Sequence, residues 1–404
     1  MFEQKLMHVV SGLRPGGGPA GYLYNLSQFL RASGCGGSHI SIYPYKQDTR
    51  NGFGARIFRE LKRLGGSFAS EDKLEREVRR WKGVDPPVSM EKSQCIRSMR
   101  AVVSHNILFS IFYLRNQRPE GQKFYIFNHS PVDSAVETLE DWKLKFGRLP
   151  GSEDVLRLEL AETEMAAYEA ADGVIAPCRE AVEAYFIWDN RLRSRFENVL
   201  NTKHLYEIPT GVPELTPSSQ WQARKKEMFG NKMVIGYFGR YHQHKGFDLF
   251  CELASLAEGD THFRFISAGK AFMNAPAGRT NYTDLGALDK QTELPDFMRM
   301  CDLVVIPNRH TYFDLVALEA MSMGRAILTS ATGGHRYLAR QSSGILTCEP
   351  LNSSRLYAIL RGYSPTELTA YGDENRRVYE KEYTVERFAS RHIDLARRLL
   401  TDGI

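Results

Sequence analysis

The stretch Val234–Leu249, VIGYFGRYHQHKGFDL, carries the reading of the fold. An apolar run of strand length stops at Gly239, a short polar loop follows, and helical spacing resumes at Phe247. A buried strand that runs through a tight loop into a helix is the opening of a parallel βαβ unit. The loop carries Arg240 and Lys245 at the carboxyl end of the strand. Two fixed cations flanking a glycine-punctuated turn there are placed to neutralise a diphosphate, whereas either one alone would read as a solvated surface charge.

Working outward, the same alternation fills the chain. Strand candidates in the first half are Leu6–Val10, His39–Tyr43, Ala101–Val103, Phe124–Phe127, Gly173–Ala176 and Tyr206–Ile208, with helices at Ala20–Ala32, Asn106–Asn116, Asp154–Ala170 and Arg179–Phe186. The second half restarts at Met233–Phe238 and continues through Phe263–Ala268, Tyr282–Leu285, Leu303–Ile306, Ala326–Thr329 and Gly344–Leu346. Between them the Pro/Ser-rich stretch 209–219 reads as a linker. At roughly 100–200 residues per domain, a 404-residue chain is too long for one ordinary core. The expected fold class is therefore α/β, with two Rossmann-like doubly wound domains facing a cleft. Their expected bounds are 1–205 and 206–383, with a final helical segment, about 384–404, crossing back onto the first domain.

Composition sets limits on function. Apolar residues make up 42% and charged residues 25%, which excludes a disordered or fibrous chain. The net charge of +5 is far from that of a dedicated nucleic-acid binder. It is also local, since Arg50–Arg100 holds 13 Lys and Arg against 7 Asp and Glu. Within it, Ala55–Phe68 sets Ile57, Phe58, Leu61 and Leu64 on one helical stripe beside Arg56, Arg59, Lys62 and Arg63. That pattern fits an ordinary amphipathic surface helix or one that leans on an anionic membrane surface or acceptor. Cys35, Cys95, Cys178, Cys251, Cys301 and Cys348 are scattered without metal-ligand spacing and read as buried free thiols of a reducing compartment. With no signal-peptide pattern at the start and no run near 18 apolar residues, the expected location is cytoplasmic, with at most peripheral contact with the inner face of the cytoplasmic membrane.

Two further segments bear on chemistry. Ser11–Gly21, SGLRPGGGPAG, follows the first strand and opens a helix, so that backbone amides of Gly16, Gly17 and Gly18 can approach an anion. It is not the GxGxxG fingerprint, and NAD is disfavoured. Leu303–Gly324, LVVIPNRHTYFDLVALEAMSMG, is another strand, loop and helix. Glu319 lies inside its apolar helix, where a carboxylate needs a partner: a ribose diol or a basic side chain.

The order Gly-Arg-x4-Lys-Gly, then strand-Pro-x6-Asp-Leu-Val-Ala-Leu-Glu-Ala-Met-x2-Gly, then Thr332-Gly333-Gly334, resembles the group 1 glycosyltransferases (glycosyltransferase family 4). Weaker counterparts are Gly16–Gly18, Val103-Ser104-His105, Phe127-Asn128-His129, Ala171–Ile175 and Ile208–Val212. The resemblance implies a GT-B fold and retaining transfer from a nucleotide-diphosphate sugar to a glycan or glycolipid, in surface polysaccharide or lipopolysaccharide synthesis. It implies that Arg240 and Lys245 hold the diphosphate and Glu319 the ribose. Gly17 and Gly18 would approach the phosphate and sugar, and His129 would contact the donor sugar. Gly239, Thr311, Phe313, Asp314, Leu315 and Val316 complete the implied donor site. No cofactor is implied and no metal is expected, because no DxD pair occurs; cations and amides would stabilise the leaving diphosphate. Two positions depart from the pattern. Thr311 stands where the family has the first of two glutamates, with Asp314 or His310 as substitutes, and Asp314 replaces the usual glycine. Alternatives of other kinds are a GT-B sugar-nucleotide epimerase and a non-catalytic GT-B subunit of a transferase complex.

Overall fold

The structure, a computed structural model, describes residues 3–14, 18–33, 39–45, 71–86, 94–276 and 278–401. The basic segment 55–68 and Gly17 lie outside the described residues. The chain divides into two compact units, Met1–Ile208 with Ala389–Ile404, and Pro209–Phe388.

Unit one holds β1 (Glu3–Val10), β2 (Ile40–Pro44), β3 (Met99–Ser104), β4 (Lys123–Ile126), β5 (Gly173–Ala176) and β6 (Leu205–Glu207). They form one parallel sheet in the order β2-β1-β3-β4-β5-β6. Unit two holds β7 (Met233–Phe238), β8 (Phe263–Ala268), β9 (Tyr282–Asp284), β10 (Leu303–Ile306), β11 (Ala326–Ser330) and β12 (Ile345–Cys348). Its parallel order is β12-β11-β10-β7-β8-β9. Parallel sheets are covered by helices on both faces, so their strands read as unbroken apolar runs rather than alternations. Every residue of β10 and β11 is buried accordingly. This is the α/β, doubly wound architecture that the apolar runs predict, and each of the twelve strands falls within a few residues of its expected place.

Strand order locates the crevices. The chain reverses direction of travel across the sheet between β1 and β3 in unit one and between β7 and β10 in unit two, and ligands in such sheets bind beyond the carboxyl ends at these points. Helix starts are chemically marked. Asn106 caps Ile107–Asn116 through the Phe109 amide, and Ser364 with Glu367 forms a capping box ahead of Pro365–Glu382. The last helix, Val385–Thr401, leaves unit two after Phe388 and buries Leu395 and Leu399 in unit one.

Three expectations change. Arg179–Phe186 is not a helix: a 3-10 turn covers Arg179–Val182, and Phe186 is left-handed at φ 57°. The Arg193 guanidinium takes the carbonyls of Val182, Glu183 and Tyr185, and Asp133 accepts from the Phe186 amide, so tertiary partners claim the groups a helix would pair internally. The stretch after Pro209 is not a loose tether. Val212 bridges to Thr384 and donates to the Tyr383 carbonyl at 3.0 Å, while its own carbonyl accepts from Tyr379 Oη. Cys178, Cys301 and Cys348 are buried free thiols, but Cys95 is exposed because it lies on the short surface helix Gln94–Arg97. Among the described residues, no helix is long and apolar enough to cross a membrane.

Gly246 tests the geometry at the β7/β10 crevice. Its φ is +65°, and a Cβ there would sit 1.9 Å from the Pro307 carbonyl oxygen. Gly246→Ala is expected to cost at least about 2 kcal/mol in urea unfolding. Gly259→Ala, at φ +90° but with open space around it, should cost only about 1 kcal/mol.

Candidate functional site

At the carboxyl edge of unit two, the loops after β7 and β10 are stitched together by backbone. Gly246 abuts Pro307, and the Arg309 amide donates to the His244 carbonyl at 3.0 Å. The Arg309 guanidinium also grips Asp248 at 2.8 and 2.6 Å and reaches the Gln243 carbonyl. Gly239 lies against Gly269, whose missing Cβ leaves room for the Gly239 carbonyl. Tyr237 Oη donates to the Arg240 carbonyl at 2.7 Å and lies 3.4 Å from that of Lys245, bracing both ends of the cationic loop.

The two cations differ in state. Arg240 is exposed, and its guanidinium has no hydrogen bond or ion pair among the described residues. Lys245 Nζ is 2.8 Å from Asp314 Oδ2. Asp314 is buried, also accepts from Asn308 Nδ2, and caps the helix Leu315–Ser322 through the Val316 amide at 3.1 Å. Burial alone would raise its carboxyl, but Lys245, then His335, and the hydrogen bonds from Lys245 and Asn308 hold it well below the usual carboxylate range. Of the two cations carried by this loop, Arg240 is open and Lys245 is paired.

Glu319, buried inside the same helix, finds its partner in Lys290, at 2.7 Å from Oε1. Burial pushes the carboxyl up and the ammonium opposes this. Oε2 has no hydrogen bond among the described residues, and Lys290 itself is largely exposed, so a vicinal diol can reach this carboxylate. Thr311 is buried, with its hydroxyl 3.3 Å from His335 Nδ1. Thr329 Oγ1 donates to the Ile306 carbonyl and so faces His335 Nδ1 as an acceptor, which puts the imidazole proton on Nδ1. His335 Nε2 is left as a buried acceptor without a partner among the described residues. Burial lowers its pKa to about 4, against the pull of Asp314. His310 is exposed. Phe313 is buried between the Tyr337 and Tyr383 rings, and Leu315 and Val316 are half-buried at the helix start.

In unit one, His129 closes a chain of histidines at the β1/β3 switch point. His105 Nδ1 is 2.8 Å from His129 Nε2, and His8 Nδ1 is 2.9 Å from His105 Nε2. Tyr22 Oη meets His392 Nε2 at 2.7 Å, and the His8 and His392 rings are 5.1 Å apart. His129 Nε2 is thereby committed to His105. Gly18 is exposed at φ 71°, opening the helix Gly18–Ala32. Asn308, Lys290, His335, His8 and His392 were not legible as site residues. Each gains its role from a partner on another element, and only the strand-ending His105 carried a local signal.

Burial pushes His8 down to about 3 and lowers His105, His129 and His392 as well. Folding thus favours the neutral imidazoles: stability is complete above the unfolded value near 6.5 and is lost as pH falls below it. Each histidine that stays neutral on folding costs about 1.4 kcal/mol per pH unit below that point. Urea unfolding followed by tryptophan fluorescence reads this, since Trp81, Trp142 and Trp188 lie in unit one. The midpoint should drop sharply from pH 7.5 to 5.5, and His8→Asn should narrow the drop.

The family model for Glycosyl transferases group 1 matches residues 232–361, which contain the β7/β10 crevice, Lys245, Asp314 and Glu319. The mannosylfructose-phosphate synthase of Agrobacterium fabrum is 26% identical over 195 residues, 40% of this chain and 43% of that protein. The chain spans about two fifths to just over half of the length of the curated relatives it matches. Among solved structures, the sucrose-phosphate synthase of Thermosynechococcus elongatus aligns at TM-score 0.64 and 16% identity, over 98% of this chain and 100% of that one. Anabaena HepE in complex with UDP-glucose aligns at 0.59 and 13%, over 97% and 99%. Strand order and these likenesses agree on the fold: residues 232–361 match the group 1 glycosyl transferase domain, carried in a chain of GT-B fold.

Proposed function

We propose that the chain is a glycosyltransferase that takes a sugar from a nucleotide-diphosphate donor held at the carboxyl edge of unit two. The observation that carries this is an open Arg240 on the loop after β7 together with, on the helix after β10, a buried Glu319 whose Oε2 has no hydrogen bond among the described residues and can accept from a ribose diol. Arg240 and Lys245 would neutralise the departing diphosphate, the task that a metal performs in other sites. The solved complex of Anabaena HepE with UDP-glucose supports a nucleoside diphosphate sugar as the donor class. The acceptor would be a hydroxyl of a glycan or glycolipid in surface polysaccharide synthesis, with retention at the transferred carbon. His129, whose Nε2 meets His105, would contact the donor sugar. The basic segment 55–68 would meet an anionic membrane surface.

A thermal-shift screen across UDP-, GDP- and ADP-sugars should single out one donor, since a ligand at 100 times its dissociation constant adds about 2.7 kcal/mol of stability. Arg240→Ala and Glu319→Ala should each weaken that donor at least tenfold while leaving the fold intact, and transfer should persist in EDTA. Loss of binding in neither variant removes the assignment. Donor turnover without acceptor would mark an epimerase, and no binding of any nucleotide sugar would mark a non-catalytic subunit.

A further inference from the structure

The two kinds of group that would clasp a diphosphate in unit two are an ammonium and the first amides of a helix. The ammonium and one of those amides are already engaged, and by the same side chain. Asp314 Oδ2 takes Lys245 Nζ at 2.8 Å together with Asn308 Nδ2, and Asp314 Oδ1 takes the Val316 amide at 3.1 Å. Asp314 is only 8% exposed, so the carboxylate sits in the crevice rather than on its rim. Its oxygens accept from an ammonium, a side-chain amide and a backbone amide, which is the donor set that binds a phosphate oxygen.

We propose that Asp314 is an internal stand-in for the donor phosphate, and that it sets the affinity and selectivity of this site by competing with the diphosphate for Lys245 and the Val316 amide. The inference rests on the reading of the crevice as a nucleotide-diphosphate site. Its physical basis is charge. Lys245 and Asp314 together are neutral, so the incoming diphosphate meets Arg240 as the one uncompensated cation of the two expected. The carboxylate is held well below its ordinary pKa by Lys245 despite burial, so it remains an anion across the neutral range. To use Lys245, the diphosphate must draw it from Asp314 and lie beside a fixed negative charge. Binding then depends more on the nucleoside and sugar ends than it would with an uncharged residue at 314. A donor that binds well here has to supply its affinity through Glu319 and the sugar contacts.

The test is calorimetry of UDP, GDP and ADP, and of the matching nucleosides, with wild type, Asp314→Asn and Asp314→Ser. Both substitutions keep an oxygen to cap Val316 and remove the charge, so failure of one to fold leaves the other. The preferred nucleoside diphosphate should bind at least tenfold more tightly to either variant, a change of about 1.4 kcal/mol. The nucleoside should bind wild type and variants alike, and adding Lys245→Ala should erase the gain. If the diphosphate binds wild type and both variants equally, or the nucleoside gains as much as the diphosphate, the inference is overturned while the functional reading stands. If no nucleotide binds wild type or either variant, the diphosphate site itself is wrong and the inference falls with it.

Discussion

The close approach of the Gly246 backbone to the Pro307 carbonyl governs the carboxyl edge of unit two. No side chain fits between them, and the left-handed turn at Gly246 brings the loop after β7 onto the loop after β10. Arg309 then locks the two together through Asp248 and two backbone carbonyls. With the loops pinned, Lys245 has little choice of neighbour. It faces Asp314, 69 residues further along the chain, at ion-pair distance. The site's electrostatics therefore follow from a steric fact about one glycine.

The two units solve the burial of polar groups differently. In unit two, buried carboxylates are matched to ammonium groups that remain partly exposed: Asp314 with Lys245 and Glu319 with Lys290. At Glu319 a ligand hydroxyl would add a donor to the carboxylate, whereas at Asp314 an anionic ligand would compete for the ammonium. In unit one, the polar groups at the equivalent edge are neutral imidazoles bonded to one another in series. Their stability comes from remaining uncharged, so that edge is a fixed scaffold whose strength depends on pH. Charge exchange is concentrated in one unit and charge avoidance in the other.

Much of the fold was legible because its signal is local. Parallel strands buried on both faces tend towards unbroken apolar runs, as in β10 and β11, and such runs stand out between helical spacings. The failure at Arg179–Phe186 shows the limit. The local pattern favoured a helix, but Arg193 and Asp133 claimed the backbone groups it needed. In the site, the positions of Arg240, Lys245, Asp314 and Glu319 after their strands were readable, since the carboxyl end of a strand is where such a sheet places its chemistry. Their charge states were not readable. Lys245 read as a cation placed for a diphosphate and Glu319 as a carboxylate awaiting a basic partner or a diol; the partners lie on elements that only the sheet order brings near.

By itself the sequence determined the α/β alternation and the loops that could carry chemistry. These rest on hydrophobic periodicity and on glycine and proline placement, which act within a few residues. Tertiary structure alone decided which charge meets which. Asp314 occupies Lys245, Lys290 half-covers Glu319, and His8, 97 residues before His105, closes a chain that fixes one nitrogen of His129. Pairing energies depend on distances of a few ångströms between groups remote in the chain, and no spacing along the sequence encodes those distances.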